Sequence, residues 1–419
     1  MLLKTILNRI QKHPGFVYGQ AHLRETGGGR LALEVDIHPH GRSDPICSGC
    51  GQKRKAYDRL PLRRFEFVPL WAIAVFFLYA PRRADCKRCG VTVELLPWAN
   101  GKEQLCTVYQ WFLASWAKVL SWTEVKRRFG TSWQTVFRSV KMAVDWGRAN
   151  MNLDGIESIG VDEFAWKKGH KYLTFVYQID HGSKRLLWIG KDRTSAAFHR
   201  FFDWLGEDRS KKLRFVASDM WKGFVKVVRK RASAALHVLD RFHIAQSLSK
   251  AVDTVRRQEA KELRKKGLAP VLAKTRFLLL KRSWRLVPAQ AARLADVLRY
   301  NLRTVRAYLL AESLQFLWGY VSPYWAGRYL DSWCERATAS RIEPMKKFVR
   351  TLQSHRDLLL NWFRARKAFS HGATEGLNNK ARVTTKRAYG FRSYEHAEVA
   401  LFHSLGNLPE PTFFTHKFW

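Results

Sequence analysis

Ser158-Ile-Gly-Val-Asp162-Glu163-Phe164 is a short apolar run that ends on acids. It reads as the end of a buried strand spanning Ile156 to Phe164, because the apolar residues are β-branched or aromatic and the run is too short for a helix. Working outward, Lys171 to Ile179 is a second strand, His181-Gly-Ser-Lys a hairpin turn, and Arg185 to Gly190 a third strand. Thr194 to Leu205 then switches period: Phe198, Phe201, Phe202 and Leu205 fall on one helical face. Leu213 to Ser218 is a fourth strand, closed by Asp219. Met220 to Arg231 is a helix, and Ala234 to Leu239 a fifth strand.

Three antiparallel strands followed by helix, strand, helix, strand is the order of a ribonuclease H-like fold. In that fold the first and fourth strands are neighbours at the sheet centre. Asp162 and Asp219 are then expected to meet in space although 57 positions separate them (219 − 162). A third acid, Glu375, stands in Ser370-His-Gly-Ala-Thr-Glu375-Gly-Leu-Asn-Asn. Glu375, Asn379, Arg382 and Lys386 recur there at helical spacing, on one face. Magnesium takes oxygen ligands and only one or two carboxylates per ion. Two ions about 4 Å apart therefore need no more than three acids. The expectation is that Asp162 bridges two Mg²⁺ or Mn²⁺ ions, with Asp219 on one and Glu375 on the other. Glu163 follows Asp162 directly and is expected on the opposite face of the strand.

The charge says what such a site would act on. The 419 residues carry 74 Lys+Arg against 35 Asp+Glu, a net charge of +39. A surface of that sign binds polyphosphate. The basic residues come as dispersed short clusters, for example Lys126-Arg-Arg128 and Arg264-Lys-Lys266, and not as one tail. Apolar content of 46% excludes a largely disordered chain. The start, Met1-Leu-Leu-Lys-Thr-Ile-Leu, has no sustained apolar core of a secretory signal. The longest apolar run, from Phe67 to Ala80, contains Pro69 and is too short to span a bilayer. A cytoplasmic, nucleoid-associated protein with no membrane partner is expected.

Of six cysteines, four form two pairs, Cys47-Ser-Gly-Cys50 and Cys86-Lys-Arg-Cys89. Each pair is a tight turn that aims two thiolates at one point, and four thiolates suit tetrahedral Zn²⁺. Gly51 and Gly90 follow the pairs, as a knuckle turn requires. This reads as a zinc ribbon with a structural ion and longer spacing than the usual 15–20 residues. Cys106 and Cys334 read as core residues. Downstream, Ser121-Trp-Thr-Glu124 is a capping box that opens one helix. Gly130 closes it, and Thr131-Ser-Trp-Gln134 opens the next. There Trp133, Val136 or Phe137, Val140 and Val144 form an apolar stripe. Gln134, Thr135, Arg138 and Lys141 are left facing outward, as on a recognition helix of a helix-turn-helix.

The fold class expected is multidomain α+β. Residues 1–100 are a zinc-ribbon DNA-binding domain and 101–150 a helix-turn-helix. Residues 151–243 are the first part of a ribonuclease H-like catalytic core. Residues 244–366, rich in Leu, Trp, Arg and Lys, are a long all-helical insertion. Residues 367–406 are the final core helix, and 407–419 a loosely held tail. Asp240-Arg-Phe-His243 follows the fifth strand. Its acid and histidine are auxiliary candidates, with a plain helix cap as the alternative.

Taken together, these motifs resemble the ISL-three family of bacterial insertion-sequence transposases, over nearly the whole chain. The resemblance rests on the paired knuckles, the helix-turn-helix, Gly160-Val-Asp162-Glu163, Ser218-Asp219-Met-Trp and Leu239-Asp240-Arg-Phe-His243. It rests most on Glu375-Gly-Leu-Asn-Asn-Lys380 followed by Lys386-Arg-Ala-Tyr-Gly-Phe-Arg392. It implies a catalytic triad of Asp162, Asp219 and Glu375. It implies cleavage at element ends and attack of the freed 3′-hydroxyl on target DNA. The zinc ribbon and helix-turn-helix would bind terminal inverted repeats, and Arg382 and Lys386 would neutralise phosphate. Two copies, as a homodimer or a higher assembly, would pair the two ends. The alternatives are a non-catalytic repressor derived from a transposase, and a nuclease without strand transfer.

Overall fold

The computed structural model describes residues 3–412 apart from 28, 42, 168, 170, 269, 282 and 367–371. The chain forms two compact units, 1–151 with 387–419, and 152–386. Both mix helices with sheets.

The first unit contains α1 (Leu3–Ile10), β1 (Phe16–Thr26), β2 (Arg30–Pro39), β3 (Ala56–Arg59), β4 (Arg63–Leu70), β5 (Ile73–Tyr79), β6 (Arg82–Cys86) and β7 (Gly90–Val93). Then come α2 (Thr107–Val119), α3 (Trp122–Arg128) and α4 (Trp133–Ala149). One sheet has the order β1-β2-β5-β4, with β2 and β5 parallel; a second has the order β3-β6-β7. Alternation along β5 sends Val75, Phe77 and Tyr79 inward, onto Phe65 and Trp98. The buried Arg82 side chain meets Glu94 through Nε at 3.0 Å and Nη2 at 2.8 Å, and Tyr79 donates its hydroxyl to the same carboxylate. This pairing satisfies charges that would otherwise be costly to bury.

The second unit holds β8 (Ser158–Lys167), β9 (Lys171–Asp180), β10 (Ser183–Lys191), α5 (Ser195–Leu205), α6 (Glu207–Lys211), β11 (Phe215–Ser218), α7 (Lys222–Arg231) and β12 (Leu236–Leu239). Helices follow: α8 (Arg241–Lys265), α9 (Arg276–Leu280), α10 (Pro288–Leu298), α11 (Arg303–Leu314), α12 (Pro323–Ala339), α13 (Glu343–Ser354), α14 (Arg356–Arg364) and α15 (Gly372–Arg387). The sheet order is β10-β9-β8-β11-β12. β8, β9 and β10 pair antiparallel, whereas β11 lies parallel to both β8 and β12. β8 and β11 are therefore adjacent, as the strand reading expected. The short helix α6 was not anticipated.

The helical stretch does not stand apart from the sheet. Val238 and Leu239 of β12 share one apolar cluster with Ile244, Leu248 and Val252 of α8, Trp333 of α12, Phe348 of α13 and Trp362 of α14. Cys334 is buried in that cluster and Cys106 in the N-terminal one, as expected of core thiols.

The segment 367–406 is shared between the units. Its first residues, 367–371, lie outside the described residues, as do 413–419 of the tail. The second unit ends at Lys386, and α16 (Tyr394–Leu405) belongs to the first. There α16 packs against α4: His396 lies 4.5 Å from the Phe137 ring, Glu395 pairs with Lys141 at 3.4 Å and Glu398 with Arg148 at 3.1 Å. Residues 1–46 supply α1 and the β1–β2 hairpin. Among the described residues no helix is long and apolar enough to cross a membrane.

Candidate functional site

Backbone pairing sets two of the three acids side by side. In the β8–β11 ladder Phe215 opposes Ser158, Val216 opposes Ile159 and Ala217 opposes Gly160. Continuing that register by two residues brings Asp219 level with Asp162. Their charges interact: the Asp219 carboxylate is one of the groups raising the Asp162 pKa. The largest cause of that rise is burial. It is opposed by the Glu163 N–H, by His243 and by the Asn378 amide. Asp162 Oδ1 accepts the Glu163 N–H at 2.7 Å, and Oδ2 accepts from Asn378 Nδ2. Asp219 Oδ1 accepts the Trp221 N–H at 3.0 Å, which fixes its carboxylate at the turn into α7.

Asp240 caps α8, its Oδ1 accepting the Phe242 N–H at 2.8 Å. His243, one turn on, places Nε2 3.9 Å from Asp162 Oδ1 and 3.9 Å from Asp240 Oδ2. The motif is thus both a helix cap and a neighbour of the first acid. Glu163 also belongs to this neighbourhood. It pairs with Arg193, whose guanidinium lies 5.2 Å above the Trp221 ring. Burial pushes the Glu163 carboxyl up to about 7, and the charges of Asp219 and Asp162 add to the rise against Arg193. Strand alternation alone hides this, because it says nothing of charges that act across the sheet from the opposite face.

Glu375 lies in the first turn of α15 and is exposed. Asn378, one turn further and buried, is the residue that reaches Asp162. Asn379, Arg382 and Lys386 are exposed on the same helix, and Arg382 Nη1 donates to Asn379 Oδ1 at 2.9 Å. Among the described residues, the three acids do not form a group with all ligand oxygens within 4.8 Å of one another. Sequence reasoning gave no role to Asn378 or to Tyr177, whose hydroxyl donates to Asn378 Oδ1 at 2.7 Å. The Asn-Asn pair after Glu375 was the only available signal.

The four paired cysteines do form such a group. One ligand atom from each of Cys47, Cys50, Cys86 and Cys89 lies within 4.8 Å of the others. Gly51 and Gly90 have φ of +71° and +74°, a backbone region that favours glycine, and each closes a knuckle. The Gly51 N–H donates to the Cys47 carbonyl at 2.9 Å. Arg54 Nε donates to Cys86 Sγ at 3.4 Å and, with backbone N–H groups of Cys89 and Arg88, draws the Cys86 thiol down to about 6. Hydrogen bonding from Thr92 lowers Cys47. Burial and the neighbouring thiols push Cys89 up to about 12. Four thiols at this spacing fit a soft tetrahedral cation.

In α4, Val136, Phe137, Val140 and Val144 are buried, and Ser132 caps the helix by accepting the Thr135 N–H at 2.9 Å. Ser121 caps α3 by accepting the Glu124 N–H at 3.2 Å. Gln134 and Arg138 are exposed, while Thr135 is half-buried. Lys141 is engaged, with Asp145 at 3.2 Å as well as Glu395.

Residues 159–401, more than half of the chain, match the family model described as a transposase. The chain therefore belongs to the ISL-three family of insertion-sequence transposases. It is similar to the transposase for insertion sequence element IS1001 of Bordetella parapertussis, 28% identical over 361 residues, covering 84% of this chain and 86% of that relative. It is similar as well to the transposase for insertion sequence element IS1557 of Mycobacterium tuberculosis, 29% identical over 399 residues, covering 88% and 87%.

Proposed function

We propose that this chain is a DDE transposase that binds the terminal inverted repeats of its element, cleaves DNA there and joins the freed 3′ end to a target. The observation that carries the proposal is the parallel pairing of β8 with β11, which levels Asp162 with Asp219, while α15, bearing Glu375, is hydrogen-bonded to Asp162. The strand order supports a ribonuclease H-like core spanning 151–243 and the final helix, with 244–366 as an insertion. The thiol cluster supports a zinc ribbon in residues 1–100, and α2 to α4 a helix-turn-helix in 101–150.

The donor set fits hard divalent cations. All the candidate ligands are carboxylate oxygens, which suits Mg²⁺ or Mn²⁺. Burial disfavours the charged form of Asp162, so a cation there would offset a cost already present. When bound, two such ions lower the pKa of an attacking water and stabilise the leaving oxygen of a phosphodiester. Asp162, Asp219 and Glu375 would hold them. His243 would steady Asp162, with Asp240 fixing the start of its helix. Water displaces the scissile 3′ oxygen, which leaves as a 3′-hydroxyl, and the other strand end keeps the phosphate. That hydroxyl then attacks a target phosphodiester in line, losing its proton and releasing a new 3′-hydroxyl. Arg382 and Lys386 would neutralise phosphate during both steps, and two copies would hold two ends.

Asp162→Asn is the test. It is expected to abolish Mg²⁺-dependent nicking of an end fragment while binding to that fragment is retained. A wild-type protein that binds ends but nicks nothing in Mg²⁺ or Mn²⁺ would support the repressor instead. Nicking without joined products on a plasmid target would support a nuclease.

A further inference from the structure

The helix that carries Glu375 meets strand β8 at two points. Gly160 and Asp162 are two apart on β8 and share a face. Thr374 and Asn378 are four apart on α15 and share a face. A Cβ on Gly160 would lie 2.9 Å from Thr374 Oγ1, and Asn378 Nδ2 donates to Asp162 Oδ2. Two strand residues span about 6.7 Å, and four helical residues rise about 6 Å. The two repeats match closely enough for α15 to run along β8 in one register. Glycine at 160 is what lets the first point close.

The second point is itself held. Tyr177 lies directly opposite Gly160 in the β8–β9 ladder and is fully buried. Its hydroxyl donates to Asn378 Oδ1 at 2.7 Å. A carboxamide can turn over, exchanging its oxygen and nitrogen. Turned over here, Asn378 would aim oxygen at a carboxylate. With Tyr177 donating to the oxygen, the amide nitrogen faces Asp162. The other oxygen of Asp162 is already fixed by the Glu163 N–H.

We propose that Asn378 is a positioning residue, its amide set by Tyr177, which holds Asp162 in its cation-binding orientation and locks α15 in the register that keeps Glu375 one turn away. This rests on the carboxylate-site reading above. Both residues act through Asp162 and touch no reacting atom.

The test is Mn²⁺ binding, followed by electron paramagnetic resonance, to full-length protein saturated with zinc. Asp162→Asn, Asn378→Ala, Tyr177→Phe and the Asn378→Ala/Tyr177→Phe double variant are compared with wild type. Asn378→Ala is expected to weaken Mn²⁺ binding about 10- to 100-fold. Tyr177→Phe, which removes one oxygen and keeps the ring, is expected to weaken it about fivefold. In both, the turnover of end cleavage falls while end affinity is kept. Adding Tyr177→Phe to Asn378→Ala is expected to change nothing more, because the tyrosine acts only through the amide. Should Asn378→Ala prove unfolded by circular dichroism, Tyr177→Phe alone carries the measurement. Wild-type Mn²⁺ affinity in Tyr177→Phe and Asn378→Ala, with loss in Asp162→Asn, overturns the positioning role and leaves the carboxylate site standing. Wild-type affinity in Asp162→Asn overturns the carboxylate site, and this inference with it.

Discussion

The side-chain amide of Asn361 on α14 donates to the backbone carbonyl of His237 on β12 at 2.8 Å, joining residues 124 positions apart. β12 is an edge strand of its sheet, so this bond helps cover an edge that would otherwise present unpaired backbone groups. The His237 ring in turn meets Ser218 Oγ, through Nε2, at 2.7 Å. Ser218 immediately precedes Asp219. Two hydrogen bonds thus connect the helical stretch to the strand end that carries the second acid.

Asn361→Leu is therefore expected to destabilise the protein, since it strands a buried carbonyl and removes the acceptor used by Arg364 at 2.7 Å. The cost should be about 1–3 kcal/mol, read as a fall in urea midpoint. An unchanged midpoint would show that water or another group replaces the amide.

Stability should fall in mild acid. Burial pushes His13 and His237 down to about 4 and His403 down to about 3; for His237 the charges of Arg229 and His355 add to the effect, and for His403 those of Lys118 and Arg387. Unfolded histidines bind protons below about 6.5. Between that pH and about 4 these three histidines bind more protons in the unfolded chain than in the folded one, so their contribution to stability rises with pH across this window, against the opposite contribution of Glu163 with its carboxyl raised to about 7. The histidine contribution is complete above it and is lost progressively as pH drops through it. Urea midpoints measured from pH 7.5 to 4.5 should decline. His403→Gln should flatten the decline, and an unaltered slope would remove His403 from the account.

The thiol cluster predicts one zinc per chain by elemental analysis. A chelator should expose Cys47, Cys50, Cys86 and Cys89 to a thiol reagent, while Cys106 and Cys334, buried in apolar clusters, react only on unfolding. Cys86→Ser should abolish zinc retention and destabilise the β3-β6-β7 sheet. Six thiols reacting together in native, zinc-free protein would contradict this.

On α4, Arg138→Ala should weaken binding to an end fragment and reduce the salt slope of log affinity by about 1, the signature of a lost phosphate contact. Lys141→Ala should do less, since Lys141 already faces Asp145 and Glu395. Equal losses at both positions would mean that DNA breaks those ion pairs.

Much of this was legible because the signals are local. Each CxxC with its glycine, the Ser121 cap, the start of α4 within Thr131-Ser-Trp-Gln134, and the period change between β10 and α5 lie within a dozen residues. The juxtaposition of Asp162 and Asp219 came from element order alone. The Tyr177–Asn378–Asp162 chain was not legible, since it bridges 201 and 216 positions and depends on one amide among polar residues of a helix face. The β1–β2 hairpin was also missed. Gly27 and Gly29 mark its turn, but Tyr18 is the one buried residue of β1, and the rest of the strand lacks the regular alternation that identifies a strand. The Lys141–Glu395 pair was invisible because Glu395 comes from the far end of the sequence, whereas the Asp145 partner stands only four residues along the same helix.

The return of α16 to α4 carries a consequence for shortened gene products. A polypeptide ending anywhere before residue 387 would make the three helices α2, α3 and α4 without the segment that shields Phe137 and fills the notch at Gly147, where Leu408 packs. Its bare flank would favour clumping or proteolysis over tidy occupancy of a repeat. Frameshifted or prematurely stopped copies of this element should consequently make poor self-inhibitors, whereas full-length copies crippled only at Asp162 should compete well for the ends.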